Sequence, residues 1–324
     1  MRTVWTFPGQ LTEYVGMSAG LLSSSQILAR NFELASDLVG EDLARICAHG
    51  PEAMLHRDDI AALAVVTVGA SSAAELSARG FRPDAILGYS LGLYTAAVAA
   101  GAIALEDALR IVLTIAGAGD RHFPPGRMTM GFVTGMRVAK LEAALAAPLA
   151  QGVLAITNVN TPAQVVLAGE TSALVAALDA VRPEAMRCER LQISRPYHSP
   201  WMAPVAEAVR DLCEGMEVRV PRTSLHDHKD GVRIETAEAL RARLSEQLLT
   251  RLDWPASVRR LYGVDARLFV EMPPGSSTTR MVRWIERDAA ALAIDQATDC
   301  ERFLADGPPA GLGGNAAVRE RGTH

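Results

Sequence analysis

The feature that most limits the possible fold is a short apolar segment, residues 85–87, that leads into G-x-S-x-G at residues 88–92 and then into an alanine-rich stretch. A buried strand that enters a helix through a glycine-flanked turn has the form of a nucleophile elbow, which exposes the serine hydroxyl. The start of the helix also offers N–H groups and a positive dipole end to a developing oxyanion. Ser90 is therefore a candidate nucleophile; a tight turn in which Ser90 only caps the helix is the alternative.

Strands and helices alternate on both sides of this motif. Hydrophobic pattern and glycine or proline boundaries predict strands at 3–7, 85–87 and 268–271 and helices at 61–79, 91–100, 106–118 and 202–216. An alternation of this kind is typical of a parallel α/β sheet.

A different order follows Pro124-Pro125-Gly126. The pattern predicts strand, helix, strand, strand, helix and strand, which is the ferredoxin-like order, at 128–133, 138–146, 153–158, 164–168, 172–181 and 191–194. We therefore predict a large α/β domain formed by residues 1–126 and 195–305, a ferredoxin-like subdomain at 127–194, and a disordered tail at 306–324.

Charge and composition exclude several classes of protein. Lys plus Arg total 32 against 37 Asp plus Glu, and the net charge of −5 argues against a nucleic-acid binder. The four cysteines form no C-x-x-C pair, which disfavours a disulfide framework or a zinc site. The N-terminus lacks a signal pattern and the apolar run at 96–105 is too short to span a bilayer. We expect a soluble, cytoplasmic monomer without a membrane partner.

A serine nucleophile needs a base, and the candidates are histidines. His198 lies in a rigid turn between two prolines, Pro196 and Pro200, where a catalytic and a structural role are both open. His226 and His228 could form a metal pair, but no third ligand has useful spacing, and a solvated turn is the favoured interpretation. We predict no bound metal.

Five motifs, taken together and in this order, resemble the malonyl-CoA:acyl carrier protein transacylase family, which includes acyltransferase domains of polyketide synthases. They are FPGQ at 7–10, GYSLG at 88–92, NTPAQVVLAG at 160–169, YHSPWM at 197–202 and EMPPG at 271–275. The resemblance covers about residues 1–304. It implies an α/β-hydrolase-like domain with a ferredoxin-like insertion, and a discrete, trans-acting enzyme of polyketide and antibiotic biosynthesis.

The resemblance also implies a role for each matching residue. Ser90 would accept the acyl group, His198 would act as base and then as acid, and the main-chain carbonyl of Gln247 would orient His198. The N–H groups of Gln10 and Leu91 would form the oxyanion hole. No cofactor would be bound; the substrates would be an acyl thioester, CoA-linked or carrier-linked, and the phosphopantetheine arm of an acyl carrier protein.

Departures from the family pattern concern the acyl group. The implied substrate-binding positions are Tyr89, Ile115, Gly119, Asn160 and Tyr197. Ile115 stands where malonyl enzymes of the family carry an arginine that pairs with the free carboxylate, and an isoleucine cannot bind a carboxylate. The small residues at 116–119 predict either room for a larger acyl group or close helix packing. Arg110, Arg121 or Arg127 could supply a replacement cation.

Four functions remain open on this basis: transfer of a neutral acyl group to or from a carrier protein, malonyl transfer, acyl-carrier hydrolysis, and non-catalytic docking on a decayed scaffold. The first is the predicted function, because Ser90, His198 and Gln10 are intact while Ile115 replaces the cation. Two arginine clusters are candidates for contact with an acidic carrier protein: Arg182, Arg187 and Arg190, and Arg251, Arg259 and Arg260.

Overall fold

The computed structural model describes residues 2–18 and 25–295, together with Phe303. The tail predicted at 306–324 lies outside the described residues. The strands of the described part are, in chain order, β1 Arg2–Phe7, β2 Ala85–Gly88, β3 Met128–Thr134, β4 Leu154–Thr161, β5 Gln164–Glu170, β6 Arg187–Arg190, β7 Ser224–His226, β8 Leu252–Asp253, β9 Ala266–Glu271 and β10 Ala290–Ala293.

The helices complete the described elements. They are α1 Gln26–Val39, α2 Leu43–His49, α3 Glu52–Leu55, α4 Asp58–Ala78, α5 Gly92–Ala99, α6 Leu105–His122, α7 Val138–Ala144, α8 Ala146–Ala150, α9 Thr171–Val181, α10 Ala203–Glu214, α11 Ala237–Glu246, α12 Trp254–Gly263 and α13 Ser277–Ile285. A 3₁₀ turn at Pro200–Met202 precedes α10.

The first sheet has the strand order β10-β9-β1-β2-β7, and every pairing in it is parallel. All four residues of β2 and the last four of β1 are buried, as expected for central strands covered on both faces. Because β1, β2 and β7 run in the same direction, the loops that follow them meet at one edge of the sheet. This edge carries the G-x-S-x-G turn.

The second sheet has the order β6-β3-β5-β4-β8. Its first four strands pair antiparallel in the ferredoxin-like order, which confirms the predicted fold class. The fifth strand, β8, comes from the later part of the chain and pairs in parallel with β4. The small sheet is thus tied to the large domain by a strand that the predicted subdomain boundaries, 127–194, leave out.

One predicted strand was misplaced. The prediction put the last strand of the subdomain at 191–194, whereas the structure has β6 at Arg187–Arg190. Only Cys188 of β6 is buried, so this edge strand has almost no hydrophobic signal. Leu191 and Ile193 are apolar for another reason, since both pack against a small cluster around Met130. The predicted helix at 138–146 is also divided, into α7 and α8.

Helix α4 is the central helix of the large domain. Its 21 residues are long and apolar enough to cross a membrane, but 83% of its most apolar window is buried inside the protein. It packs against α1, α5 and α6. Its length and composition are therefore accounted for by burial in the core.

Two glycines let the strands and the elbow helix approach each other closely. A Cβ atom on Gly92 would lie 2.2 Å from the carbonyl oxygen of Phe7, and one on Gly88 would lie 2.2 Å from the carbonyl oxygen of Gly92. Both distances are far below van der Waals contact, and the atoms on the other side are backbone. The start of α5 can therefore touch the end of β1 only if both positions lack a side chain.

We predict that Gly92→Ala destabilises the protein by about 1–3 kcal/mol, the usual cost of an overpacked core, because the backbone of β1 must shift. Urea unfolding measures this. Gly263→Ala is the matched control, since Gly263 is exposed and a Cβ atom there meets no atom within 4 Å. Equal stability of the Gly92 variant and wild type would show that the close contact is not tight.

Candidate active site

Ser90 lies at the tip of the turn between β2 and α5. Its φ of 54° is in the left-handed region, which is strained for a serine and is a mark of a nucleophile elbow. The N–H of Tyr89 donates to the carbonyl of Phe7 at 2.8 Å and holds the turn against β1. The structure therefore has the strand, turn and helix that the motif predicts, with Ser90 partly exposed at its end.

His198 reaches Ser90 from the segment that leaves the small subdomain. Its Nε2 lies 2.7 Å from Ser90 Oγ, and its Nδ1 lies 2.8 Å from the carbonyl oxygen of Gln247 at the end of α11. A carbonyl can only accept, so Nδ1 carries the proton and the Nε2 lone pair faces the serine hydroxyl. This is the tautomer that a general base requires.

The surroundings of His198 keep its imidazole neutral. The pKa of His198 is lowered to about 3, chiefly by burial and also by the neighbouring His228, while the hydrogen bond to the Gln247 carbonyl opposes both. The Gln247 side chain is itself held, because its Nε2 donates to the Tyr94 hydroxyl at 2.5 Å. His198 is thus available as a base throughout the neutral pH range.

Gln10 and Leu91 bracket Ser90, and the side chains of all three residues line one cavity. Leu91 is the first residue of the turn into α5, and Gln10 follows β1 after Pro8-Gly9. Neither backbone N–H donates to another residue of the described chain. Both donors are therefore free to receive an oxyanion at the positive end of α5.

The cavity next to Ser90 is small, with a volume of about 30 Å³, and both polar and apolar residues form its wall. The residues that line it are Gln10, Asp58, Ala62, Ser90, Leu91, Tyr94, Val112, Ile115, Ala116, Arg195, Tyr197, His198, Gln247 and Leu248. Of the predicted substrate-binding positions, it contains Ile115 and Tyr197. The apolar contribution of Ile115 is as the sequence analysis expected.

Arg195 also lines this cavity, although it was not among the arginines considered as a replacement cation. Its side chain is buried, pairs with Asp58 through Nη1 and with Asp120 through Nη2 at 2.6 Å, and donates to the carbonyl of Ala116 at 3.1 Å. A Cβ atom on Gly119 would lie 2.1 Å from Arg195 Nε. Gly119 therefore accommodates an arginine, and the extra room for an acyl group predicted from residues 116–119 is already filled at this position.

The three arginines considered as replacement cations are elsewhere. Arg110 is exposed and pairs with Glu106 on its own helix at 2.5 Å, and Arg121 and Arg127 are exposed as well. None of the three lines the cavity. The cation that does reach it, Arg195, comes from the segment just before His198, which spacing along α6 could not reveal.

Tyr89 and Asn160 meet outside the cavity. The Tyr89 hydroxyl donates to Asn160 Oδ1 at 2.6 Å and accepts from Asn158 Nδ2 at 3.0 Å, while its ring lies edge-on to Trp254 with centroids 5.3 Å apart. These contacts join the elbow to β4 of the small sheet. Contact of either residue with the substrate stays a prediction.

The histidine pair predicted in a solvated turn has a different setting. His226 Nδ1 lies 2.8 Å from the Gly231 carbonyl, and His228 is fully buried with its Nδ1 3.1 Å from the Gly88 carbonyl. The interpretation as a solvated turn is therefore wrong for His228. Over the residues that the structure describes, no group of three or more His, Cys, Asp or Glu side chains is placed to hold a metal ion.

Comparison with known proteins agrees with this geometry. Residues 4–286 match the family described as acyl transferase domain. The malonyl CoA-acyl carrier protein transacylase of Bacillus subtilis is 27% identical over 298 residues, 90% of this chain and 93% of that protein. A phenolphthiocerol synthesis polyketide synthase type I of Mycobacterium marinum is 27% identical over 305 residues, which is 90% of this chain but 14% of that much longer protein.

Solved structures show the same fold. A malonyl transacylase in complex with a type II polyketide synthase acyl carrier protein superposes with a TM-score of 0.89 at 28% identity, covering 94% of this chain and 100% of that one. The transacylase of Coxiella burnetii gives a TM-score of 0.88 at 26% identity, covering 94% and 97%. The chain belongs to the acyl transferase domain family and is an acyltransferase.

Proposed function

We propose that the protein transfers a short, uncharged acyl group from a thioester donor to an acyl carrier protein through an acyl-enzyme on Ser90. The observation that carries this proposal is the ion-pair cluster of Arg195, Asp58 and Asp120 beside the apolar wall that Val112, Ile115 and Ala116 form in the cavity. Two carboxylates and one guanidinium leave the cluster with a net charge of −1 when all are ionised. An acyl group with a free carboxylate would have to compete with Asp58 and Asp120 for the Arg195 guanidinium.

The acylation step follows from the hydrogen bonds of His198. Its Nε2 takes the Ser90 proton while Ser90 Oγ attacks the thioester carbonyl, and the N–H groups of Gln10 and Leu91 stabilise the oxyanion. The C–S bond then breaks, and the leaving thiolate takes the proton from His198. The Gln247 carbonyl stabilises the transient imidazolium through the Nδ1–H bond.

Transfer reverses these roles. The phosphopantetheine thiol of the carrier gives its proton to His198, its sulfur attacks the acyl ester, and the Ser90 oxygen leaves with the proton from His198. The same acyl-enzyme would be reached from acyl-CoA or from another acyl carrier. Relatives of this protein are named as malonyl transacylases and as a polyketide synthase. We propose that this enzyme acts in a polyketide pathway in the cytoplasm.

Small acyl groups fit the available space better than large ones. Arg195 fills the space beside Gly119, and burial of a neutral chain next to Ile115 is favourable by about 0.8 kcal/mol per CH₂ group. A carboxylate would lose its hydration without a partner, which costs several kcal/mol. The cavity therefore favours acetyl or propionyl over malonyl groups.

We predict that Ser90→Ala abolishes acyl-enzyme formation and that His198→Ala slows it by about 10²–10⁴-fold, the usual contribution of a general base. Intact-mass measurement of the protein after treatment with an acyl thioester shows the adduct. Ser25→Ala is the control, because Ser25 is a serine that does cap a helix, α1, through its side chain. An undiminished adduct on Ser90→Ala would show that another residue carries the acyl group.

We predict that wild type loads acetyl or propionyl from CoA in preference to malonyl by a factor of at least about ten, equivalent to roughly 1.4 kcal/mol. Asp58→Asn should raise the share of malonyl, because it frees one edge of the Arg195 guanidinium, and Ile115→Arg should raise it as well. Both shares are read from a mass spectrum after competition of the two donors.

Glu106→Gln is the control for Asp58→Asn, since it removes a carboxylate that pairs with an exposed arginine, Arg110. It should leave the ratio of the two adducts unchanged. Preferential loading of malonyl by wild type would mean that Arg195 exchanges a protein carboxylate for that of the substrate, and malonyl transfer would replace the proposed function.

We predict that Arg190→Glu raises the KM for the carrier protein by roughly tenfold, or about 1.4 kcal/mol, without changing loading from acyl-CoA. Arg190 is exposed on β6 and forms no ion pair with a described residue, unlike Arg182, which pairs with Asp179 at 3.2 Å. Arg182→Glu is therefore the matched control and should have the smaller effect. If Arg190→Glu changed loading from acyl-CoA as much as transfer to the carrier protein, the carrier protein would have to bind at a surface other than β6.

A further inference from the structure

His228 is a buried titratable residue beside the catalytic pair. It lies in the loop after β7, and because β7 neighbours β2, this loop adjoins the Ser90 turn at the same edge of the sheet. Its ring is edge-on to that of His198, with centroids 5.8 Å apart and planes at 88°. Its Nδ1 is 3.1 Å from the carbonyl of Gly88, the residue where β2 ends.

We infer that His228 is a positioning residue, which holds the His198 imidazole in line with Ser90. The His228 ring packs against the His198 ring, and the hydrogen bond from His228 Nδ1 to the Gly88 carbonyl fixes the His228 ring to the end of β2. The inference rests on the proposed role of Ser90 and His198, but not on the identity of the acyl group. His228 has no contact with the serine and takes no part in proton transfer.

The loop that carries His228 is well fixed. The Asp227 carboxylate pairs with Arg243 of α11 at 2.7 Å and accepts from the Lys229 N–H at 3.0 Å, and the Asp227 carbonyl accepts from Gly231 N–H at 2.8 Å. These contacts keep the His228 ring in place when the His198 ring moves toward it. His228 can therefore act as a stop for the catalytic imidazole.

The protonation of His228 supports a functional reason for its presence. Since the Gly88 carbonyl only accepts, Nδ1 carries the proton and Nε2 is a bare acceptor, buried without a hydrogen-bond partner. An unsatisfied buried atom is unfavourable for stability. Such atoms are rare in native proteins, and functional sites are one of the places where they occur.

Electrostatics links the two rings. Burial lowers the pKa of His228 to about 4, the Gly88 carbonyl opposes this, and the charge of Arg243 adds to it. His228 in turn lowers the pKa of His198, which the carbonyls of Gln247 and Thr250 raise. Removal of the His228 imidazole should therefore raise the pKa of His198 and move the acid limb of Ser90 reactivity to higher pH.

Labelling of Ser90 by a fluorophosphonate tests this, because it needs the Ser90–His198 pair but no particular acyl group. His228→Phe keeps a ring without the donor, and His228→Asn keeps a donor near the Nδ1 position without the ring. We expect His228→Asn to label at least about tenfold more slowly at pH 7.5, since a displaced base loses its alignment. We expect His228→Phe to stay within about threefold at that pH, with its acid limb shifted to higher pH.

His226→Ala is the matched control, because His226 ends β7 two residues before His228 and its Nδ1 also lies near a carbonyl oxygen, that of Gly231 at 2.8 Å; it should match wild type at every pH. Thermal unfolding shows which variants fold, and either His228 variant suffices if the other does not. Wild-type rates for His228→Asn, or an unmoved acid limb in His228→Phe, would overturn the inference. Failure of wild type itself to label in a His198-dependent way would overturn the proposed function instead.

Discussion

The site depends on one close approach of backbone to backbone, where the start of α5 meets the end of β1. Gly92 can lie against the Phe7 carbonyl only without a side chain, and the Phe7 carbonyl in turn receives the Tyr89 N–H at 2.8 Å. The contact sets the sharp turn that gives Ser90 its φ of 54°. Gln10, which follows β1, lines the same cavity as Ser90 and Leu91, so this one constraint bears on the proposed nucleophile and on both proposed oxyanion donors.

A second consequence concerns how the base is kept ready. His198 is oriented by a neutral carbonyl, that of Gln247, and not by a carboxylate. A carboxylate would favour the imidazolium, whereas a carbonyl in a buried site leaves the neutral form preferred, and burial lowers the pKa of His198 to about 3. The base therefore never rests in the protonated state at neutral pH. In the proposed mechanism, the imidazolium exists only while the proton passes between oxygen and sulfur.

The sequence was sufficient where local pattern decides the structure. Ser90 follows from a strand, two glycines and an alanine-rich helix, and the ferredoxin-like order follows from alternation of short segments. The contacts of Glu271 in the EMPPG motif are also close in sequence, because its carboxylate accepts from the N–H groups of Thr278 and Thr279 at 2.9 and 2.7 Å at the start of α13. Features that depend on packing between distant parts of the chain could not be predicted from the sequence. Strand β6 has a single buried residue, and β8 contributes two residues to a sheet formed about a hundred positions earlier.

Arg195 and Ile115 show that the function of the cavity, like the fold, could be predicted from the sequence only where neighbouring residues decide it. Spacing along α6 identified Ile115 as the replacement of a cation, and Ile115 does line the cavity beside Ser90. The small residues that follow it suggested empty space, but their role was decided by an arginine some seventy-five positions away, whose Nη2 bonds both the Ala116 carbonyl and Asp120. Both terminal nitrogens of this guanidinium are bound by protein groups, Nη1 by Asp58 and Nη2 by Asp120 and the Ala116 carbonyl. In the proposed function, the Arg195 side chain therefore limits the size of the acyl group, while its terminal nitrogens stay paired with Asp58 and Asp120.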